Sequence, residues 1–157
     1  MNPILPHAGA PALARRADAG AIGSLPCRSS FERLERAYRL FGGLQTGEAF
    51  ARSLTLRGRD GTGGLLGRIA AGEMFGWTWQ DDLWVPMFQV DRDSLAVRPG
   101  SRRVLAELRG VFDDWSLAQW FVHPNAWLRG SRPLDLLAGR PDAVRLAARG
   151  DRTIAGG

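Results

Sequence analysis

Few side chains in this sequence stand at spacings that could do chemistry. Cys27 is the only cysteine and has no nearby histidine to act as its base, so we interpret it as an incidental thiol. His123 has only His7 as a second imidazole, which is too few ligands for a metal site. The adjacent acids at 81–82 and 113–114 are typical of polar turns and helix caps. The sequence therefore predicts a protein that is not an enzyme, without catalytic, metal-binding or cofactor-binding residues.

The most distinctive segment is Trp115 to Leu137, in which three tryptophans lie within thirteen positions. Aromatic side chains at this density either fill a small core or anchor a partner. From Pro124 onward, a proline at the first helical turn and a glycine just past the end recur three times. The pairs are Pro124 with Gly130, Pro133 with Gly139, and Pro141 with Gly150. This punctuation predicts a series of short helices.

The N-terminal half divides into a leader and a helical region. Residues 1–28 have few large apolar groups, which predicts a disordered leader. Ser29 with Glu32 forms a capping box for a first helix that ends at Gly42 and Gly43. Two short helices are predicted at 46–54 and 65–71, joined by the glycine-rich loop 57–64. They could form a degenerate helix-turn-helix, although we interpret the loop as a mobile connection.

In the middle of the chain the apolar period changes from that of a helix to that of a strand. Phe75, Trp77 and Trp79 alternate, and a second alternating run follows a short acidic turn, which predicts a β-hairpin. Pro86 should lie at a sheet edge or end its strand. Amphipathic helices are predicted from 101 to 113 and from Ser116, which forms a capping box with Gln119.

The predicted fold is therefore mainly α with a small β-hairpin (α+β). The regions are a leader at 1–28, a helical region at 29–73, a hairpin with a bundle of short helices at 74–150, and a flexible tail at 151–157.

The net charge of +5 comes from 21 arginines and 16 acidic residues, with no lysine. No block of the sequence is basic enough to require nucleic acid. If the chain does bind operator DNA, its phosphate contacts should come from the helical region at 29–73. The candidates there are Arg52, Arg57, Arg59 and Arg68. No apolar run reaches the roughly 18 residues of a membrane span, and the N-terminus is a poor signal peptide, so a cytoplasmic location without membrane contact is expected.

The C-terminal half resembles a known family of antitoxins. The segment that carries the resemblance reads Trp120-Phe121-x-x-Pro124-Asn125-x-x-Leu128-x-Gly130-x-x-Pro133-Leu134-x-Leu136-Leu137. The helix 142–148 and the upstream segment 84–91, with its Pro86-Met87-Phe88-Gln89 run, extend it to roughly residues 65–150. Together these residues resemble the toxin-binding domain of the Xre/MbcA/ParS antitoxin family.

The resemblance implies a function and a set of partners. In that family an N-terminal helix-turn-helix binds operator DNA, and the C-terminal helices hold a cognate toxin, commonly a RES-domain enzyme that consumes NAD. The last residues of the antitoxin help to block the active site of the toxin. Family members often self-associate, and the hairpin with Trp79 and Trp84 is a plausible surface for a homo-oligomer.

On this basis the sequence predicts an antitoxin-like protein that neutralises its toxin. We expect Trp127 and Leu128 to be partly exposed, and Arg149 and Arg152 to reach an anion-binding cleft of the toxin. The toxin-binding candidates are Trp120, Asn125, Trp127, Leu128, Arg129, Pro133, Leu134, Arg149 and Arg152. A DNA-binding regulator, or an interaction module without a toxin, is the alternative.

Overall fold

The computed structural model describes residues 27–157, so the predicted leader at 1–28 falls almost entirely outside the described residues. The described part is mainly helical with one small antiparallel sheet, which confirms the predicted fold class. The α-helices are α1 (Arg28–Tyr38), α2 (Gly47–Leu56), α3 (Thr62–Ala70), α4 (Pro99–Leu108), α5 (Asp114–Val122), α6 (Pro133–Leu137) and α7 (Pro141–Gly156). Short 3-10 helices span Arg39–Phe41, Met87–Gln89 and Ala126–Leu128. The strands are β1 (Leu44–Thr46), β2 (Trp77–Trp79) and β3 (Asp82–Pro86).

The predicted hairpin is confirmed and belongs to a sheet of three strands. Its turn places Gln80 and Asp81 at positive φ, which suits the tight turns that follow the twist of a hairpin. The sheet order is β1-β3-β2, and β3 ends at Pro86 as predicted. The first strand, β1, was not predicted because three residues are too few to show alternation. It pairs antiparallel with β3, with Leu44 opposite Pro86.

Two of the predicted capping boxes were wrong, and one predicted cap is confirmed. Helix α1 begins at Arg28 after Cys27 and has no side-chain cap, so Ser29 lies inside the helix. Helix α5 is capped by Asp113, whose carboxylate accepts the Ser116 N–H at 2.7 Å. An aspartate is as good a cap as a serine, and Asp113 directly precedes the helix, whereas Ser116 lies inside its first turn. At α2, Thr46 accepts the Ala49 N–H at 3.2 Å, as predicted.

Two buried clusters hold the elements together. The larger one joins α1, the hairpin and the C-terminal helices, and at its centre the Tyr38 hydroxyl donates to the Ala118 carbonyl at 2.7 Å. The smaller one lies under α2 and α3 and is built from Phe50, Leu54, Leu65, Met74, Val85, Met87, Val90 and Leu95. Helix α3 starts at Thr62, three residues before the predicted Leu65, so the connection to α2 is shorter than predicted.

Helix α7 differs most from the prediction. Gly150 was predicted to end the last helix and residues 151–157 to form a flexible tail. Instead, one helix runs from Pro141 to Gly156. It packs along α4 through the buried side chains of Val144, Ala147 and Ala148. A proline thus starts the helix as predicted, and the glycine within it has another role.

Candidate protein-binding surface

The carboxylate of Asp151, on α7, accepts hydrogen bonds from three side chains of the preceding segment. Trp120 Nε1 donates to Oδ2 at 2.7 Å, and Asn125 Nδ2 donates to the same oxygen at 2.6 Å. Trp127 Nε1 donates to Oδ1 at 3.0 Å. Asn125 also accepts the Trp127 N–H at 2.9 Å, so its side chain closes the turn as predicted. These bonds fix the short segment around Trp127 to the middle of α7.

The indole of Trp127 lies over Gly150 and remains open to solvent. A β-carbon on Gly150 would come within 2.6 Å of Trp127 Cε2, so the ring occupies the space that any other residue would fill. A glycine inside a helix costs about 1 kcal/mol relative to alanine, and here it allows the close approach of the ring. Trp127 keeps 57% of its surface exposed. The sequence prediction that this tryptophan is partly exposed is confirmed.

Two more large apolar side chains continue the exposed surface along α7. Leu146 and Ile154 lie four residues before and after Gly150, which places them on the same helix face as the indole. They are 59% and 55% exposed. We call Leu146, Trp127 and Ile154 the α7 strip. Single exposed apolar residues are ordinary, but three in one row with a tryptophan at the centre are typical of interaction sites.

Beside the α7 strip, three arginines of the same helix surround Glu107 of α4. Arg149 Nη2 lies 2.9 Å from Oε1 and Arg152 Nη1 lies 3.0 Å from Oε2, while Arg145 Nη1 is 3.7 Å from Oε1. The hydrogen bond from Arg149 holds the pKa of Glu107 below its usual range, against the opposing effect of burial. Glu107 is 10% exposed, whereas its partners are between one third and one half exposed. We call Arg145, Arg149 and Arg152 the arginine row.

The structure separates the nine predicted toxin-binding residues into two groups. The buried group comprises Trp120, Asn125, Leu128, Pro133 and Leu134. These side chains belong to the interior, so the expectation that Leu128 is partly exposed was wrong: it faces inward from its one-turn 3-10 helix. The exposed group comprises Trp127, Arg129, Arg149 and Arg152. Those four lie on or beside the α7 strip.

The four arginines predicted to contact DNA lie in the region of α2 and α3. Arg52 pairs with Glu48 at 2.8 Å, and Arg68 Nη1 donates to the Leu95 carbonyl at 2.7 Å. Arg57 donates to the Arg92 carbonyl at 3.4 Å, and Arg59 is exposed. The exposed residues of α3 are Thr62, Gly63, Leu66, Gly67 and Ala70. Of these only Thr62 could hydrogen-bond to a base edge, so DNA binding stays a prediction from the sequence.

Sequence reasoning missed the two carboxylates on which this surface depends. Asp151 lies 31 residues from Trp120, and Glu107 lies 42 residues from Arg149, so no local pattern links them. The one available signal was Gly150. A glycine beside an acid, inside an otherwise amphipathic helical period, marks either a helix end or a close approach, and the sequence did not distinguish them.

Other chemistry in the described residues is sparse. The exposed Cys27 lies at the start of α1, where hydrogen bonds with the Ser29 and Ser30 hydroxyls lower the pKa of its thiol to about 7. No group of three or more potential metal ligands occurs between residues 27 and 157. Within the same range, no helix is long and apolar enough to cross a membrane.

Comparison with known proteins gives no relative, because no family model, no curated protein and no solved structure matches this chain. The antitoxin resemblance therefore rests only on the residues quoted for it.

Proposed function

We propose that this protein is an antitoxin-like binding protein that docks on a partner protein through the α7 strip and the arginine row. The observation that carries the proposal is the fixed and exposed indole of Trp127. An exposed tryptophan would ordinarily sample several rotamers, whereas this one is bonded to Asp151 and lies against Gly150.

A fixed aromatic side chain is an efficient anchor for a partner. Ordering a free side chain on binding costs about 0.5–1.5 kcal/mol, and here the ordering has been done in the free protein. Leu146 and Ile154 extend the apolar contact on either side. Tryptophan and arginine are the residues most enriched among those that dominate binding energies. The α7 strip together with the arginine row provides both.

The charge of the surface indicates the chemistry of the partner. The arginine row and the exposed Arg129 carry four positive charges, and the carboxylates of Glu107 and Asp151 carry two negative charges, which leaves +2 on this surface. A partner with an acidic rim around an apolar pocket would complement it. Such charges raise the association rate and make it sensitive to salt.

The partner we propose is a cognate toxin, as the antitoxin resemblance implies, of the RES type that is common in that family. Helix α7 would lie across the active site of the toxin, with Arg152 and Ile154 closest to the opening. Because α7 continues to Gly156, the end of a helix, and not the flexible tail expected from the sequence, would cover the active-site cleft of the toxin.

The test is co-expression of the protein with the product of the neighbouring gene, with each also expressed alone. We expect the neighbour to be toxic alone and harmless in a stable complex. Trp127→Ala should weaken that complex at least tenfold, since a central anchor contributes about 2 kcal/mol or more, and the free protein should stay folded. Leu66→Ala, at a leucine of similar exposure on α3, is the matched control and should bind normally.

Two results would contradict the proposal. A harmless neighbour that forms no complex would favour an interaction module without a toxin. Unfolding of the isolated Trp127→Ala protein would show that the indole stabilises the fold rather than the complex. Trp127→Phe separates the parts of the anchor, because it keeps an aromatic ring but loses the hydrogen bond to Asp151.

A further inference from the structure

A second surface feature lies at the other end of α7, away from the α7 strip. It is a groove of about 500 Å³, within the roughly 300–1,000 Å³ range of ligand-sized pockets. The segment after α1, the turn after β3, the start of α4 and the junction of α6 with α7 form its walls. Its apolar lining is contributed by Leu40, Phe41, Met87, Phe88, Val90, Leu134 and Leu137.

The charged side chains that line the groove are arginines. Arg92 and Arg98 line it, and none of its described lining residues is acidic. Arg98 Nε donates to the Val90 carbonyl at 3.0 Å, and this bond holds its guanidinium at the groove wall. Arg92 is exposed, and the described residues give its guanidinium no hydrogen-bond or ion-pair partner.

Two acids, Asp91 and Asp93, flank Arg92 in the sequence, and Asp91 faces Arg98. Asp91 Oδ1 accepts the N–H groups of Asp93 and Ser94, at 3.1 and 2.9 Å, and the Ser94 hydroxyl at 3.0 Å. Its other oxygen lies 4.0 Å from Arg98 Nη2, at the limit of an ion pair. Asp91 therefore offsets part of the charge of Arg98, and Arg92 is the lining arginine that has no ion-pair partner among the described residues.

From this arrangement we infer that the groove binds a small amphipathic carboxylate, with its apolar body on the phenylalanine and leucine floor and its carboxylate at Arg92 and Arg98. An arginine is suited to a carboxylate because its planar fork can donate two parallel hydrogen bonds. An apolar body is required because the floor is built of apolar side chains, and the Ser101 hydroxyl in the lining already donates to the Arg98 carbonyl at 2.9 Å. This site does not depend on the proposed toxin surface, which uses α7 from Arg145 to Ile154.

The probe is decanoate, with decanol as a neutral control of the same length, and binding is followed by ligand-observed NMR titration of the full chain. We expect decanoate to bind at least tenfold more tightly than decanol, the effect of one charge-assisted hydrogen bond. Arg92→Glu should remove that preference and leave decanol binding unchanged. Arg36→Glu, at an exposed arginine of α1 outside the groove, should change neither.

A filling variant tests the apolar part separately. Ala138 is exposed on the groove wall, so Ala138→Phe should occlude it and abolish binding of both ligands while the circular dichroism spectrum stays native. Equal affinity for decanoate and decanol, or decanoate binding that survives Arg92→Glu, would overturn the inference. Absence of decanoate binding would also overturn it, even if a partner protein were found to cover the groove.

Discussion

Two carboxylates hold α7 in place, one through neutral hydrogen-bond donors and the other through positively charged guanidiniums. Asp151 accepts from two indoles and one amide, all of them neutral. Glu107 accepts a hydrogen bond from the Arg149 guanidinium and forms ion pairs with those of Arg152 and Arg145. The first site lies under the α7 strip and the second lies beside it, so both belong to one surface of the same helix.

The two carboxylates therefore have different effects on this surface: one positions a side chain, and the other leaves an excess of positive charge. At Asp151 the neutral donors leave a single negative charge, and the effect of the bonds is to fix the position of Trp127. At Glu107 the three positive charges exceed the one negative charge, so the helix keeps an excess that can act over about one Debye length, roughly 8 Å at physiological salt. A partner would therefore respond to the arginine row before contact and to the α7 strip on contact. Three changes test this comparison.

The largest expected effect follows from removing Asp151. Asp151→Ala leaves the N–H groups of the buried Trp120 and Asn125 side chains without their acceptor. Since an unsatisfied buried donor costs about 1–3 kcal/mol, the free energy of unfolding should fall by about 2–5 kcal/mol. Urea unfolding measures it. Asp142→Ala, at an exposed acid of the same helix, is the control and should cost less than about 1 kcal/mol.

A loss below about 1 kcal/mol for Asp151→Ala would mean that water replaces the carboxylate without strain. This result would contradict the claim that the Asp151 carboxylate fixes the position of the Trp127 indole. Asp151→Asn is a milder variant that retains one acceptor oxygen. It should keep part of the stability but place an N–H group near one of the three donors.

The next effect concerns Glu107 and depends on pH. Its pKa is lowered in the folded protein, mainly by the hydrogen bond from Arg149, so its contribution to stability is present above the unfolded pKa and is lost as the pH falls through the folded pKa. Glu107→Gln should cost about 1–2 kcal/mol near neutral pH, a modest value because the three arginines are half exposed and screened. That cost should disappear in acid.

Urea unfolding of both proteins from about pH 7 to about pH 3 spans the usual pKa of a glutamate and measures the difference directly. A difference that stays constant over this range would show that Glu107 acts through packing and not through its charge. In partner binding the same variant removes one negative charge beside the arginine row. Association with an acidic partner should therefore become faster and more dependent on salt.

The sequence predicted those parts of the fold that depend on local chemistry. The prolines at 133 and 141 start α6 and α7, and Thr46 caps α2, because these residues act on their own helix turn. The hairpin follows from alternation across a short turn. Strand β1 could not be predicted, since its three residues are extended only because β3 lies beside them. The capping residue of α5 was misplaced because Asp113 and Ser116 are both good caps.

The candidate surface was predictable only in its exposed half. Trp127 stood out by its position on a short turn between arginines, and its exposure is confirmed. Leu128 looked equivalent by sequence, yet a one-turn helix must turn one of two neighbouring side chains inward. The partners Asp151 and Glu107 are joined to their donors only by the folding of distant segments. No residue spacing could have revealed them.

The smallest effect on stability, and the sharpest on shape, is expected at Gly150. Alanine there should gain up to about 1 kcal/mol of helix propensity, and the gain should be offset because its β-carbon would lie 2.6 Å from Trp127 Cε2. The ring is half exposed and can move, so the free energy of unfolding should change by less than about 1 kcal/mol while Trp127 leaves Asp151. The Trp127 indole N–H resonance should shift, and partner affinity should fall as it does for Trp127→Ala.

Gly67→Ala is the matched control, because that helical glycine has open space around it and should add stability without moving the indole. If Gly150→Ala changes neither the indole resonance nor the partner affinity, then the fixed position of the Trp127 ring does not matter for binding. Asp151 would then have no role in positioning that ring for a partner, and only the charge contributed around Glu107 would remain of the comparison.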